Sequence, residues 1–243
     1  MNINTEKTFD NFVVGKSNEF AYKVCKAVTK NLNKNNLCLN PIFIFGDTGL
    51  GKTHLMNAIC NELNKNNSNI KIKYTTANEF TDELISSVAS RNKDEFNKKL
   101  KTDMDILIID DIQFISGRSL TQEDLYNIIN TRIENKKQVI LTANKNPYNI
   151  RNIAKTLYSR LSSGLIAEIT YPEYEIKYGI IKNIAKKFEI NIPEEVIAFL
   201  SKQIIVNNFQ LQCIANSMCA NCKLCNLEPT VKLAEEAIKR TIG

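Results

Sequence analysis

Five short apolar runs punctuate the first two thirds of the chain, at residues 42–45, 70–74, 106–109, 139–142 and 165–169. Their branched and aromatic residues read as β-strands. The first, third and fourth runs are almost unbroken, the pattern of parallel strands covered on both faces. Helical spacing fills the intervals. Leu120, Leu125, Ile128, Ile129 and Ile133 follow helical spacing, and residues 77–90 and 94–101 also read as helices. Alternation of strand and helix predicts a doubly wound α/β fold built on a parallel sheet.

After Tyr171-Pro172 the strand signal stops. Ile176, Ile180, Ile181, Ile184 and Phe188 make one apolar helical stripe. Pro193 opens a second helix bearing Val196, Phe199 and Leu200, because proline suits a first helical turn. Two further helices are expected at about 209–223 and 231–240. The chain thus divides into an α/β domain over 1–171 and a small all-α domain over 172–243. Asparagine-rich stretches at 29–36 and 61–67 read as solvated helix ends and loops.

Composition narrows the function classes. The chain has 243 residues, 43% hydrophobic and 24% charged, with a net charge of +6. That is ordinary globular composition with a mild basic excess, which permits nucleic-acid contact without requiring it. No apolar run reaches the ~20 residues of a spanning helix, and the first residues carry no apolar signal segment. A cytoplasmic protein with no membrane span is the expectation. His54 is the only histidine, which argues against histidine-based zinc sites and Ser/His or Cys/His catalytic pairs. The seven cysteines read as reduced thiols rather than a disulfide framework. Cys219, Cys222 and Cys225 form a C-x2-C-x2-C run that a metal could use, but no fourth ligand is evident.

The chemistry is concentrated in Gly46-Asp-Thr-Gly-Leu-Gly51-Lys52-Thr53, which fits G-x-x-x-x-G-K-[ST] between a strand and a helix. Glycines there let the backbone wrap closely, so that N–H groups and the helix N-terminus face phosphate oxygens. Gly46, Thr48, Gly49, Leu50, Gly51, Lys52, Thr53 and His54 form the candidate nucleotide-binding set. Lys52 would reach the β- and γ-phosphates, and Thr53 would ligate Mg²⁺. A second buried strand ends in Asp110-Asp111. Asp110 can hold Mg²⁺ through water, and Asp111 can polarise the attacking water. Asn144, just past the fourth strand, either orients water or the γ-phosphate or simply forms a turn before Pro147. Arg160 is one of only six arginines. It would suit the γ-phosphate of a neighbouring subunit, as a finger supplied in trans, or a surface ion pair.

These elements, in this order, resemble the AAA+ ATPases, and more closely the family of bacterial chromosomal replication initiators, the DnaA family. The resemblance rests on Thr8-Phe-Asp-Asn-Phe-Val-Val-Gly15-Lys-Ser-Asn18, on the phosphate loop continued to His54-Leu55, on Leu107-Ile-Ile-Asp-Asp-Ile-Gln-Phe114, and on Ser159-Arg160 running to Gly164-Leu165. It implies an AAA+ sheet followed by a helical lid, ATP/ADP and Mg²⁺ as ligands, weak ATPase activity, and head-to-tail assembly on origin DNA near the nucleoid. It further implies that Val13, Val14 and Asn18 lie beside adenine and ribose, that Asn144 is the first sensor, and that Arg160 is the arginine finger. The helices between Ala77 and Lys101 resemble the initiator insertion that touches single-stranded DNA. Ile85 and Arg118 are candidates there, with the basic run Arg91, Lys93, Lys98, Lys99 and Lys101.

Two departures from the family pattern stand out. The expected N-terminal partner domain and helix-turn-helix domain are not in these 243 residues, so a fragment or a short relative is expected. In the stretch that resembles the lid motif, Val206-Asn-Asn-Phe209-Gln-Leu-Gln-Cys213, Phe209 stands where the family carries an arginine. Two other functions therefore compete with the initiator reading: a short regulatory or helicase-loader relative that binds an initiator or helicase, and a nucleotide-gated interaction module with little hydrolysis.

Overall fold

The computed structural model describes residues 3–31, 40–67, 69–203 and 207–242. Five strands form one parallel sheet: β1 (Ile42–Phe45), β2 (Ile72–Thr76), β3 (Ile106–Asp110), β4 (Gln138–Ala143) and β5 (Leu165–Glu168), in the order β2-β3-β4-β1-β5. Tyr74, Ile108, Ile140, Ile42 and Leu165 lie in one row across it. All of β3 is buried, and β4 from Val139 onward, as unbroken apolar runs require when helices cover both faces. Because every strand runs the same way, Phe45, Asp110 and Ala143 end at one edge. In open α/β sheets that edge is where ligands bind.

Around the sheet lie α1 (Glu19–Asn31), α2 (Lys52–Asn66), α3 (Ala77–Ala89), α4 (Lys93–Lys98), α5 (Ser119–Glu134) and α6 (Lys155–Leu161). The start of α3 is fixed by a capping box: Glu79 N–H donates to Thr76 Oγ1 at 3.2 Å, and Thr76 N–H donates to Glu79 Oε2 at 3.0 Å. Backbone hydrogen bonding to Thr76 holds the Glu79 carboxyl below its ordinary range.

The structure corrects several sequence expectations. The second strand begins at Ile72, because Lys71 exchanges hydrogen bonds with Asp105 ahead of the ladder, while Thr75 and Thr76 join it. The helix expected at 94–101 is the short α4 followed by a π-helical turn, Lys99–Asp103. Leu120 is not part of the buried stripe of α5. It sits on the first turn and is 76% exposed, whereas Leu125, Ile128 and Ile129 are buried. Helix α1 adds a stripe at helical spacing, Ala21, Val24, Cys25 and Val28, all buried, while α6, seven residues long, is too short to show one.

The chain forms two compact units. The first comprises Met1–Phe12, Phe20–Gly46 and Lys52–Ile169; the second gathers Val13–Glu19, Asp47–Gly51 and Thr170–Gly243. The second unit holds α7 (Tyr174–Phe188), α8 (Glu194–Lys202), α9 (Asn208–Cys225) and α10 (Val231–Ile242). Ile181, Val196, Leu200, Leu211, Ile214 and Met218 form its core. Pro193 is the residue capping α8. Residues 32–36 of the asparagine-rich stretch, Cys38 and Val206 lie outside the described residues. No helix among the described residues is long and apolar enough to cross a membrane.

Candidate functional site

Within the first unit the phosphate-loop residues meet the ends of β3 and β4. Lys52, the first residue of α2, is buried, and its Nζ donates to the Gly46 carbonyl at 2.7 Å. Thr53 Oγ1 donates to Asp110 Oδ2 at 2.8 Å. Tyr74 OH donates to the same oxygen at 3.1 Å, and Thr142 Oγ1 donates to Asp110 Oδ1. Asp110 is only 1% exposed. A carboxylate this deep needs its lone pairs satisfied, and three hydroxyls do that here. Burial and the Asp110 charge together push the Tyr74 phenol well above its ordinary range, so it stays a donor.

Asp111 adopts a left-handed backbone, φ 61 and ψ 53. This conformation is uncommon for residues other than glycine and comparatively tolerated by Asp. Its N–H donates to Thr142 Oγ1 at 3.0 Å, so Thr142 ties both acidic residues to β4. Gln113, on the one-turn helix Ile112–Ile115, donates from Nε2 to Asp111 Oδ1 at 3.0 Å and accepts from the Asn144 N–H at 3.2 Å. In the sequence Gln113 is visible only as part of the Asp-Asp-Ile-Gln-Phe motif, and Tyr74 and Thr142 carry no motif of their own. Their positions in the strand ends beside Asp110 were the available signal.

In the second unit, Gly49 takes φ 80, and a Cβ there would stand 2.9 Å from Asn207 and 3.0 Å from Phe209 Cβ. Only glycine combines that backbone with that close approach. Asn208 Nδ2 donates to the Leu50 carbonyl at 3.2 Å, and Tyr171 OH donates to Asp47 Oδ2 at 2.6 Å. Phe209 is 64% exposed on the first turn of α9, so it is not a core residue. Val13 packs on Gly179 of α7, and Val14 is exposed. Asn18 is buried, donating to the Val13 carbonyl and accepting the Gly15 N–H, both at 3.0 Å. Its amide is spent on shaping the loop that carries Val13 and Val14.

His54 faces the N-terminal segment. Its Nε2 lies 2.9 Å from the Thr8 carbonyl, and its ring meets Phe12 edge-on. Burial lowers its pKa below the ordinary 6.5, partly offset by the Thr8 carbonyl. A histidine lowered in the fold leaves the unfolded chain binding more protons, so its stabilising contribution is complete above 6.5 and declines as pH falls through the folded value. Thermal unfolding should therefore show a lower midpoint at about pH 5.5 than at about pH 7.5, a range above most carboxylate titration. His54→Gln should flatten that dependence, and an unchanged slope would assign it elsewhere.

Arg160, at the end of α6, is half-buried; among the described residues no hydrogen bond or ion pair engages its guanidinium. Among the described residues no hydrogen bond joins it to the Asp110 cluster. Ile85 lines a groove of ≈ 610 Å³ with Leu84, Val88, Lys93, Leu120 and Asp124. Arg118 is the residue capping α5. Within the basic run, Lys93 is paired with Asp124 at 2.8 Å. The six described cysteines are free. Cys219 and Cys222 are buried on α9, and burial raises the Cys219 thiol to about 11. Among the described residues no cluster of His, Cys, Asp or Glu could hold a metal by itself.

Comparison with known proteins fits this geometry. The model of the bacterial DnaA ATPase domain matches residues 3–168. The chromosomal replication initiator protein DnaA of Caldanaerobacter subterraneus subsp. tengcongensis is 39% identical over 241 residues, 99% of this chain and 54% of that protein. The chain thus spans about half the length of the curated relatives it matches. Domain III of the Thermotoga maritima replication initiation protein DnaA superposes with a TM-score of 0.91 at 30% identity, covering 100% of this chain and 99% of that one. A replication initiator DnaA bound to AMPPCP and single-stranded DNA superposes at 0.82 and 31% identity, over 98% of this chain and 70% of that one. A phosphate loop on β1, an acidic pair ending β3 and a match of this extent lead to one conclusion: the chain belongs to the bacterial DnaA ATPase-domain family.

Proposed function

We propose that this chain binds Mg-ATP and uses it to switch head-to-tail self-association on single-stranded DNA in the initiation of chromosomal replication. The observation that carries the reading is the Thr53–Asp110 contact at 2.8 Å, beside the buried Lys52. Two hard oxygen donors with no further protein cage suit Mg²⁺, which is ordinarily held by one or two protein oxygens together with substrate phosphates and water. Bound there, Mg²⁺ would neutralise phosphate charge. Lys52 would leave the Gly46 carbonyl for the β- and γ-phosphates, while Val13 and Val14 would cover the base.

Hydrolysis follows from the same residues. Asp111 takes a proton from water as the water oxygen bonds to the γ-phosphorus. The bond from that phosphorus to the β–γ bridging oxygen breaks, and its electron pair leaves with ADP. Asn144 holds the γ-phosphate. Arg160, with no partner of its own among the described residues, serves the site of the next subunit. Ile85 in its groove, with Arg118, meets single-stranded DNA, an apolar surface receiving an unstacked base. That a similar initiator is bound to single-stranded DNA supports the choice of ligand.

The second reading, a nucleotide-gated module that scarcely turns over, is favoured by Phe209. A phenyl ring beside Gly49 cannot donate to a phosphate, so the helical unit lacks a charge that reports the γ-phosphate. Sedimentation of wild type and Arg160→Ala, each with ATP and with ADP, in the presence of a single-stranded oligonucleotide, tests the main reading. Assembly is expected only for wild type with ATP. Identical behaviour in all four samples overturns the assignment of Arg160 and the ATP switch with it.

A further inference from the structure

The geometry points to Gln113 as the residue that positions Asp111 for water activation and couples it to the γ-phosphate-sensing end of β4. This inference rests on the hydrolytic reading above and adds a component to it. Both ends of the Gln113 amide are committed: Nε2 donates to Asp111 Oδ1 at 3.0 Å, and Oε1 accepts from the Asn144 N–H at 3.2 Å. A carboxylate can only accept and a backbone N–H can only donate, so the two partners fix the amide in one orientation.

That orientation has a consequence for Asp111. With Oδ1 held by Gln113, among the described residues Oδ2 makes no hydrogen bond and is available for water. The backbone of Asp111 is pinned separately, through its N–H to Thr142 Oγ1 at 3.0 Å, and its left-handed conformation turns it out of the line of β3. Main chain and carboxylate are thus anchored at two points, Thr142 in β4 and Asn144 immediately after it. Any shift of Asn144 on meeting a γ-phosphate is passed to Asp111 through one rigid amide. Gln113 itself touches no reacting atom; it acts through Asp111.

Removing the amide frees the carboxylate to rotate, and a misplacement near 1 Å at a reacting group costs on the order of a hundredfold in rate. We would measure Mg-ATP affinity, turnover and thermal midpoint for wild type, Gln113→Ala and Gln113→Glu, with Asp111→Asn as the background for turnover. Gln113→Glu keeps the shape and the acceptor for Asn144 but sets a carboxylate against Asp111. Both variants are expected to lose turnover by roughly ten- to a hundredfold, with ATP affinity within about twofold and the thermal midpoint unchanged. Turnover that is unchanged or raised overturns the proposal, as does a joint fall in affinity, midpoint and turnover, which would make Gln113 a folding residue. Wild type that turns over no faster than Asp111→Asn overturns the hydrolytic reading, and Gln113's role with it; that failure shows in wild type alone, so the two are told apart.

Discussion

Arg132→Met is expected to destabilise the protein by about 3–5 kcal/mol, the largest effect foreseen for any single substitution outside the glycines. The Arg132 side chain is fully buried and, among the described residues, forms no ion pair; it donates to four backbone carbonyls. Nη1 reaches Leu100 O at 2.5 Å and Met104 O at 3.1 Å, while Nη2 reaches Asp105 O at 3.2 Å and Gln138 O at 2.9 Å. One planar fork thereby ties the π-helical turn Lys99–Asp103 to the starts of β3 and β4. Burial pushes its pKa down to about 10, which leaves it charged at neutral pH. Buried ion pairs often yield to apolar residues at little cost, because both charges go together. Here the carbonyls would stay behind without these donors, and a buried acceptor left unsatisfied costs about 1–3 kcal/mol. For a chain of this size that corresponds to a fall of about 10 °C in thermal midpoint. Arg132→Lys should recover only part of the loss, since a single ammonium cannot span four carbonyls in a plane. A midpoint within about 3 °C of wild type would mean that the turn repacks without its anchor.

Nucleotide affinity should respond almost as strongly at Lys52. Lys52→Ala removes an ammonium already buried against the phosphate loop, and a charge-assisted hydrogen bond is worth about 1.5–3 kcal/mol. ATP should bind roughly 10- to 150-fold more weakly, with a folded protein by circular dichroism. Unchanged affinity would discard the phosphate-loop reading. The same titration separates a second effect, of opposite sign, at Phe209. Because Phe209 is largely exposed, Phe209→Arg forfeits little packing and supplies a donor beside Gly49. A ligand shifts a conformational equilibrium only by its differential affinity for the two states. The substitution should therefore widen the preference for ATP over ADP by about tenfold, equivalent to roughly 1.4 kcal/mol. Equal preference in both proteins would mean that another group reads the γ-phosphate.

What the sequence determined by itself is what local periodicity and short spacing encode. Unbroken apolar runs identified the strands at 42–45, 106–109 and 139–142 to within a residue or two, because a strand buried on both faces has no polar positions to blur it. The phosphate loop was legible because its chemistry is carried by eight consecutive residues, from Gly46 to Thr53. The end of helical spacing before Pro193 and the restart after it were likewise local. Tertiary structure alone decided the partners of the charged groups. Nothing near Asp110 in the chain says that Tyr74, from β2, and Thr142, from β4, will satisfy it; strand order brings them together. Arg132 read as one arginine among six, and only the meeting of α5 with the α4–β3 connection made it an anchor. Leu120, five residues before Leu125, lies about 140° from it around the helix and so projects away from the core that Leu125, Ile128 and Ile129 join. Periodicity reports which residues share a face of an element. Which face is covered, and by what, depends on contacts between residues distant in sequence.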